Sequence, residues 1–218
     1  MDRVITTAMW LACIATVLVT VIVLPGRYAP PEPWEWDPLV AQIEDWREYA
    51  QEGIRQGGLE APVVLVEFSD VQCPYCGSLN QELERLREEF GQQLTTVFRH
   101  YPLTTHEHAF DAARIAQCAF EQGVFPEMRS ALFAEQENFG GFAWRDVAEE
   151  TGVGVEQFDL CLDSDRPDEA IQRDIAAGEK LDIGATPALL VNGDLYIGLS
   201  GVDLDALIRD QVTLNQDD

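Results

Sequence analysis

Two cysteines separated by two residues are the part of the sequence best suited to chemistry. They lie in the run Cys73-Pro74-Tyr75-Cys76, where two thiols about one helical turn apart are within reach of a disulfide. In exchange reactions a thiolate attacks a disulfide sulfur, so such a pair can pass two electrons to or from another dithiol. The spacing therefore favours thiol–disulfide exchange, with Cys73 and Cys76 as the redox pair.

A zinc site is the alternative interpretation of these cysteines. Structural zinc needs four ligands, usually from a second Cys-x-x-Cys or from paired histidines. Cys118 and Cys161 are single and far apart, and His100, His106 and His108 lack a partner cysteine pair. The last two histidines are one residue apart, so on a strand they would point in opposite directions, and we interpret them as the start of a solvated helix. We expect no metal and no bound cofactor.

The cysteine motif lies between a predicted strand and a predicted helix. Residues 62–68 are a nearly continuous β-branched run, typical of a buried strand, and residues 78–90 carry apolar side chains at helical spacing. Cys73 is thus placed where a helix begins, and unpaired N–H groups and the helix dipole favour its thiolate there. Pro74 suits the first turn because it needs no N–H. Cys76, one turn further on and more buried, would resolve the mixed disulfide.

A carboxylate interrupts the apolar strand six residues before the first cysteine of the motif. Glu67 would be costly to bury without a task or a partner. At this position it could exchange a proton with Cys76 as the disulfide opens and closes. The alternative is that the twist at the end of the strand carries the carboxylate to solvent.

The remaining segments predict an α/β fold with a helical insertion. Residues 94–101 form a second strand, which completes a βαβ unit, and every segment over residues 106–181 has a helical pattern. Residues 188–191 and 195–197 flank Asn192-Gly193-Asp194, a hairpin signal, and residues 204–212 form a closing helix.

The N-terminus predicts a membrane anchor. Residues 4–24 are uncharged and almost entirely apolar, and Arg3 and Arg27 flank them. About 20 apolar residues span a bilayer as a helix. A cleaved secretory signal usually has a shorter apolar core, so we favour an uncleaved transmembrane helix over a cleaved signal.

This pattern divides the chain into four parts. Residues 1–27 form the anchor, and residues 28–60 form a linker and an amphipathic helix. We expect that helix because apolar side chains recur at helical spacing at Leu39, Ile43, Trp46, Ala50 and Ile54. Residues 61–212 form the catalytic domain, with the helical insertion at about 104–182, and residues 213–218 form an acidic tail.

The charge of the chain excludes one class of partner. The formal net charge is −25, and Lys180 is the sole lysine. A nucleic-acid-binding protein needs a positive patch against phosphate, and the sequence contains none. We therefore expect no nucleic-acid partner.

Together these segments resemble the DsbA-like branch of the thioredoxin superfamily. The resemblance covers nearly all of residues 61–212 and rests on four stretches: VLVEFSDVQCPYC (64–76), FRHYPL (98–103), AQCAFEQGVF (116–125) and GATPALLVNG (184–193). It implies a thioredoxin-like fold with an inserted helical domain, with Glu67 as the buried acid. It also implies a cis Pro187 beside Cys73 and Cys76.

The resemblance also implies how such a protein works. Thr186 would offer its backbone to an extended substrate chain, and Pro187, Pro74 and Tyr75 would complete the substrate-binding surface. Substrates would be reduced or unfolded proteins, and a quinone-linked membrane partner would restore the disulfide. The catalytic domain would lie outside the cytoplasm, in the periplasm or at the cell exterior.

Cys118 and Cys161 each lie in a predicted helix of the insertion. In an oxidising compartment two such thiols tend to pair, and some DsbA-like proteins resemble this chain in carrying a second disulfide in the helical domain. The expectation is a structural Cys118–Cys161 bridge. Two buried free thiols are the alternative.

Oxidation of extracytoplasmic proteins is the leading function by this resemblance. The strongly oxidising members carry histidine where this chain has Tyr75, so a membrane-anchored disulfide reductase is an alternative. The N-terminal segment is too small for the dimerisation domain expected of an isomerase. A thioredoxin-fold chaperone or binding module is the alternative without turnover, and the intact Cys73–Cys76 pair disfavours it.

Overall fold

A single mixed sheet organises the part of the chain that the computed structural model describes, residues 39–58, 60–141 and 144–215. Its strands are β1 (Leu39–Gln42), β2 (Ile54–Gln56), β3 (Val63–Ser69), β4 (Leu94–His100), β5 (Ala188–Val191) and β6 (Asp194–Ile197). They lie in the order β1-β6-β5-β3-β4-β2. Strands β3 and β4 are parallel, and the other neighbouring pairs are antiparallel.

The first and the last of the described α-helices pack on one face of the sheet, and the others belong to an insertion between β4 and β5. The α-helices in the described ranges are α1 (Pro74–Phe90), α2 (Ala109–Phe120), α3 (Phe125–Ala134), α4 (Trp144–Glu150), α5 (Val155–Leu162), α6 (Arg166–Lys180) and α7 (Leu204–Leu214). Short 3-10 helices occur at Trp46–Ala50, Gly91–Gln93 and Gln136–Gly141. This arrangement confirms the predicted α/β thioredoxin-like fold with a helical insertion.

The two faces of the sheet are buried by different elements. Alternate strand residues such as Leu65 and Leu189 share one cluster with the apolar faces of α1 and α7, as the two-residue period of a strand requires. Residues of the opposite face, including Phe68, pack with Trp46 and Tyr49. The insertion has its own core, which Phe98 of β4 joins to the sheet.

The predicted amphipathic helix over residues 39–54 is wrong. Leu39–Gln42 instead pairs with β6, and Ile54–Gln56 pairs with β4, so this segment supplies both edges of the sheet. Between them Trp46–Ala50 forms one buried 3-10 turn. The outer strands of a four-stranded sheet leave a row of backbone groups unpaired, and strand addition satisfies them, whereas a separate helix would not.

The hairpin near the C-terminus follows its sequence signal. Asn192 and Gly193 join β5 to β6 with φ angles of 47° and 107°, the left-handed conformation that a two-residue hairpin turn needs and that Asn-Gly favours. Glycine is also required by space, because a Cβ at Gly193 would lie 2.9 Å from the Trp46 ring. The turn thereby fixes β6 against the segment that carries β1.

The predicted N-terminal anchor at residues 4–24 and most of the linker lie outside the described residues. Within residues 39–58, 60–141 and 144–215, no helix combines the length and the apolar character needed to cross a bilayer. The end of the predicted acidic tail, residues 216–218, is also outside the described ranges. The first two residues of the predicted tail, Thr213 and Leu214, belong to α7, which ends at Leu214.

Candidate active site

The two cysteines of the motif lie at the start of α1. Cys73 is the residue before the first turn, with an extended backbone, and Pro74 is the first residue of the helix. The Cys73 N–H donates to the Asp70 carbonyl at 3.0 Å, and the Cys76 N–H donates to the Cys73 carbonyl at 3.1 Å. Cys73 is 4% exposed and Cys76 is fully buried. Both cysteines are therefore buried, Cys76 slightly more than Cys73.

The thiols of these cysteines differ strongly in acidity. The pKa of Cys73 falls from its ordinary value to about 5, chiefly because the Cys76 thiol hydrogen-bonds to its sulfur. A contact with Thr186 and the N–H groups of Cys76 and Tyr75 lower it further, and together they outweigh the effect of burial. Burial, and then the neighbouring Cys73 sulfur, raise the pKa of Cys76. Cys73 is therefore a thiolate at neutral pH and Cys76 is a thiol.

The segment before β5 faces the same sulfur. The Thr186–Pro187 peptide bond is cis, and the Cys73 sulfur lies 3.5 Å from the Thr186 carbonyl oxygen. A groove of about 550 Å³ runs beside them, and Tyr75, Leu79 and Leu199 are among its lining residues. Tyr75 is 75% exposed. The structure thus brings the sequence-predicted Thr186, Pro187 and Tyr75 together around Cys73.

Glu67 lies beneath the active-site helix. It shares a face of β3 with Val63 and Leu65, which pack with α1. Its side chain is fully buried, so the alternative in which strand twist carries it to solvent is wrong. Among the described residues it accepts one hydrogen bond, from Arg129 Nη1 at 3.3 Å, and its Oε1 has no protein partner.

Arg129 is a residue that the sequence analysis missed. It lies in α3 of the insertion, 62 residues from Glu67, and its side chain is 1% exposed. Its guanidinium lies 5.4 Å from the centre of the Phe98 ring and 5.3 Å from that of Phe125, the geometry of cation–π contacts. An arginine within an apolar helical stretch was the available signal, but nothing local identified its partner.

Asp70 is the second residue that the sequence analysis missed. Its carboxylate is fully buried and accepts hydrogen bonds from the N–H groups of Gln72 at 2.7 Å and Leu103 at 2.8 Å. Its own N–H points at the Cys76 sulfur, 3.5 Å away. An acid three residues before a cysteine motif is a weak signal, since such a residue more often caps a turn.

The histidines after β4 differ from the predicted solvated helix start. Helix α2 begins at Ala109, and His106 precedes it in a turn. The His106 Nδ1 lies 2.7 Å from Asp70 Oδ2, and its side chain is 27% exposed. The expectation therefore holds only in part for His106, because its ring is partly exposed but also contacts a buried carboxylate more than 30 residues away.

Cys118 of α2 and Cys161 of α5 are joined by a disulfide, with their Cα atoms 5.8 Å apart. Both residues are buried in the core of the insertion. The bond ties α2 and α5 together, at a distance from Cys73 in sequence. The remaining described cysteines, Cys73 and Cys76, are free.

The chain was compared with known families. Residues 49–210 match the sequence profile of the family described as Thioredoxin. The chain belongs to the thioredoxin family. The matched range begins within the segment between β1 and β2 and ends in α7, so it includes the whole active site described above.

This thioredoxin-family chain also resembles several solved structures over most of its length. It resembles the thiol–disulfide exchange protein alpha-DsbA2 of Wolbachia pipientis with a TM-score of 0.66 and 18% identity, over 78% of this chain and 91% of that one. BdbD of Bacillus subtilis, in its oxidised form, matches with a TM-score of 0.66 and 20% identity, over 80% and 98% of the chains. A thioredoxin-like oxidoreductase of Silicibacter pomeroyi matches with a TM-score of 0.62 and 26% identity, over 75% and 92%.

The fold of this thioredoxin-family chain is therefore similar to that of alpha-DsbA2 and BdbD. The curated relatives of the chain have a different name. The Na⁺/H⁺ antiporter NhaA 1 of Mycobacterium sp. strain KMS is 35% identical over 176 residues, which are 78% of this chain and 27% of that protein. The protein of the same name from Mycolicibacterium vanbaalenii is 36% identical over 176 residues, again 78% of this chain and 27% of that protein. The chain thus spans about a quarter of the length of these relatives.

Proposed function

We propose that this chain forms disulfides in extracytoplasmic proteins through Cys73 and Cys76. The observation that carries the proposal is the environment of the Cys73 sulfur, which lies at a helix start, 3.5 Å from the Thr186 carbonyl and beside an open groove. The helix start, the Cys76 thiol and the N–H groups of Cys76 and Tyr75 stabilise the Cys73 thiolate. A stable thiolate favours the reduced enzyme, because a dithiol whose pKa is low releases electrons reluctantly. An enzyme with a stable reduced form is an oxidant of other dithiols.

The reaction follows from the different acidities of the two cysteines. A substrate thiolate attacks the Cys73 sulfur of the oxidised enzyme, the Cys73–Cys76 bond breaks, and Cys76 leaves and takes up a proton. The second substrate thiolate then attacks the substrate sulfur of the mixed disulfide and releases Cys73 as its stable thiolate. The substrate loses two electrons and gains a disulfide, and the enzyme gains both electrons.

We assign to Glu67 the proton that Cys76 takes up and gives back. The carboxylate lies under α1 on the face that packs against this helix, and one of its oxygens has no protein partner among the described residues. Cys76 is fully buried and cannot exchange its proton with bulk water directly. A buried acid under the same helix supplies a proton donor where the leaving thiolate forms.

The substrate would bind as an extended segment in the groove beside Pro187. An exposed tyrosine ring and the apolar side chains of Leu79 and Leu199 flank the reactive sulfur. Such a surface fits unfolded chains, which expose apolar side chains and free backbone groups. Reduced or unfolded proteins are therefore the proposed substrates, with no nucleic acid.

The proposed location is a membrane surface outside the cytoplasm. Residues 4–24 have the length and composition of an anchor, and a structural Cys118–Cys161 bond is typical of oxidising compartments. The curated relatives are named as antiporters, proteins that act at a membrane. A quinone-linked membrane protein would reoxidise the Cys73–Cys76 pair.

The direction of electron flow is tested by the equilibrium potential of the Cys73–Cys76 couple. Purified protein is equilibrated with mixtures of reduced and oxidised glutathione, and the fraction of disulfide is measured by mass spectrometry after alkylation. We expect a potential well above that of thioredoxin, which is roughly −270 mV. A Cys118→Ala/Cys161→Ala variant is the matched control, because it removes the other two cysteines of the domain and leaves the redox pair.

A disulfide reductase is the second candidate, and Tyr75 favours it. Tyrosine supplies no cation beside the thiolate, and its ring is directed outward. A potential near that of thioredoxin would support the reductase and overturn the oxidase. Absence of any turnover of a reduced two-cysteine peptide by the wild-type protein would instead support a binding module.

A further inference from the structure

The loop that leads into Cys73 is held by a hydrogen-bond network around Asp70. The Asp70 carbonyl accepts from the Cys73 N–H at 3.0 Å, and the Asp70 N–H donates to the Cys76 sulfur at 3.5 Å. One residue thus contacts both members of the redox pair through its backbone. Its side chain decides how firmly that backbone is held.

The Asp70 carboxylate is fully buried, and three donors surround it. Oδ1 accepts from the Gln72 N–H, and Oδ2 accepts from the Leu103 N–H and from the His106 ring. An isolated buried carboxylate is costly, so these donors determine whether the Asp70 side chain stays in place. Two of them are backbone groups; the His106 ring is the side-chain donor.

His106 reaches Asp70 from the segment that connects β4 to α2. The His106 N–H donates to the Leu103 carbonyl at 3.0 Å, which closes a turn around Asp70 Oδ2. Nδ1 lies 2.7 Å from that oxygen, so Nδ1 carries the hydrogen. The ring, 27% exposed, is the outer member of a row that runs from solvent through Asp70 to the Cys76 sulfur.

We propose that His106 is a positioning residue for the redox pair, which acts by holding the Asp70 carboxylate and thereby the N–H that reaches the Cys76 sulfur. This inference rests on the proposed exchange at Cys73 and Cys76 and adds a residue to it. His106 does not touch the sulfurs. It holds the Asp70 backbone in place and donates to the negatively charged Asp70 carboxylate, which lies close to the cysteine sulfurs.

Removing the ring should disfavour the Cys73 thiolate. The Asp70 carboxylate would lose one of its three donors, and the less compensated negative charge would lie near the negative charge of the Cys73 thiolate. The Asp70 N–H would also be less firmly aimed at Cys76. Both effects make the reduced enzyme less stable, so the variant should be a weaker oxidant than the wild type.

The test compares four variants of the full chain. His106→Leu and His106→Ser remove the donor, and the serine variant keeps a polar side chain at a partly exposed position in case the leucine variant does not fold. His106→Asn places an N–H donor where Nδ1 lies and should rescue the wild-type behaviour. His108→Leu is the matched control, since the His108 ring makes no hydrogen bond among the described residues and its backbone N–H, which donates to Gln72, is retained.

Two readouts separate positioning from simple loss of structure. The thiolate titration of reduced Cys73, followed by ultraviolet absorbance, should shift upward by about one pH unit in H106L and H106S. Their equilibrium constants with glutathione should change about tenfold toward the disulfide, since one pKa unit corresponds to a factor of ten. H106N and H108L should match the wild type in both measurements.

The proposal is overturned if folded H106L or H106S titrates and equilibrates like the wild type, or if H106N shifts as far as H106L. The same measurements on the wild type report separately on the proposed function. A wild-type protein that exchanges no disulfide with glutathione contradicts that function, whatever the variants do. A wild type that exchanges normally, beside unchanged His106 variants, contradicts the positioning role alone.

Discussion

Arg129 of α3 donates a hydrogen bond to the Glu67 carboxylate of β3 at 3.3 Å, with both side chains about 1% exposed. This contact joins the helical insertion to the sheet directly beneath the active-site helix. The insertion is therefore a structural part of the catalytic domain. It supplies the charge that compensates the buried acid.

Loss of Arg129 should strongly destabilise the fold. Arg129→Met removes the guanidinium and leaves Glu67 as a buried carboxylate without its partner, which typically costs about 3–5 kcal/mol. The double variant R129M/E67Q should recover part of that loss, because it contains no unpaired charge. Urea denaturation of the oxidised proteins measures both effects.

Arg145→Met is the control for Arg129→Met. Arg145 pairs with Asp159 at the surface, and exposed pairs contribute at most about 1 kcal/mol. A loss of stability in R129M no greater than that in R145M would mean that the buried pair does not stabilise the native state as the contact indicates.

The thiolate of Cys73 should make the stability of the reduced protein depend on pH. The folded-state pKa of about 5 lies below the ordinary thiol value of 9.0, so between these values the unfolded chain holds a proton that the folded one lacks. The stabilisation is full above the ordinary pKa and is lost as pH falls through the folded pKa. Reduced wild type should gain stability relative to Cys73→Ser from pH 5 to 9.

Alkylation provides the second measurement of the same pKa. The rate of Cys73 alkylation should rise through about pH 5 and then level off. Cys76 should react slowly at neutral pH, because burial raises its pKa. A midpoint near that of an unperturbed thiol would contradict the assigned environment of Cys73.

The Cys118–Cys161 bond should stabilise the insertion without contributing to exchange. The two residues are 43 apart in sequence, and closing a loop of that size stabilises a protein by about 4 kcal/mol on the chain-entropy model. The Cys118→Ala/Cys161→Ala variant should lose stability of this order in thermal or urea unfolding. Its potential with glutathione should stay at the wild-type value, and a large shift would mean that the bond belongs to the redox chemistry.

His100 and Asp174 should contribute opposite pH dependences to stability. The His100 backbone N–H donates to the Asp174 carboxylate at 2.8 Å, and the side chains of both residues are buried. Burial lowers the pKa of His100 to about 4 and raises that of Asp174 to about 6. Between pH 4 and 6, His100 is protonated more fully in the unfolded state, so its contribution to the free energy of unfolding rises with pH. Asp174 is protonated more fully in the native state, so its contribution falls with pH.

Single variants should separate these two contributions. Over this window the stability of Asp174→Asn relative to wild type should rise with pH, and that of His100→Gln should fall, each on the order of 2 kcal/mol. Denaturant unfolding at a series of pH values measures the differences. Parallel curves for wild type and both variants would contradict the burial of one or both ionisable groups.

Local patterns in the sequence were sufficient for much of the fold and for the reactive pair. A nearly continuous β-branched run predicted β3, the helical period of apolar side chains predicted α1, and the Asn-Gly turn predicted the final hairpin. The Cys-x-x-Cys spacing at a strand–helix junction identified Cys73 and Cys76. These signals are local because secondary structure and turns depend on neighbouring residues.

Tertiary structure alone decided the partners of the buried polar groups and the edges of the sheet. Nothing near Glu67 in sequence indicates Arg129, and nothing near Asp70 indicates His106, because each pair is made by elements that the fold brings together. Residues 39–54 carry a helical pattern, yet both ends of this segment pair as strands at the two edges of the sheet. Strand pairing there satisfies backbone groups that a helix would leave unpaired. The sequence by itself predicted which two cysteines form the redox pair. Only the packed fold determined the charges and donors around them, since a buried charge must find its partner wherever the chain provides one.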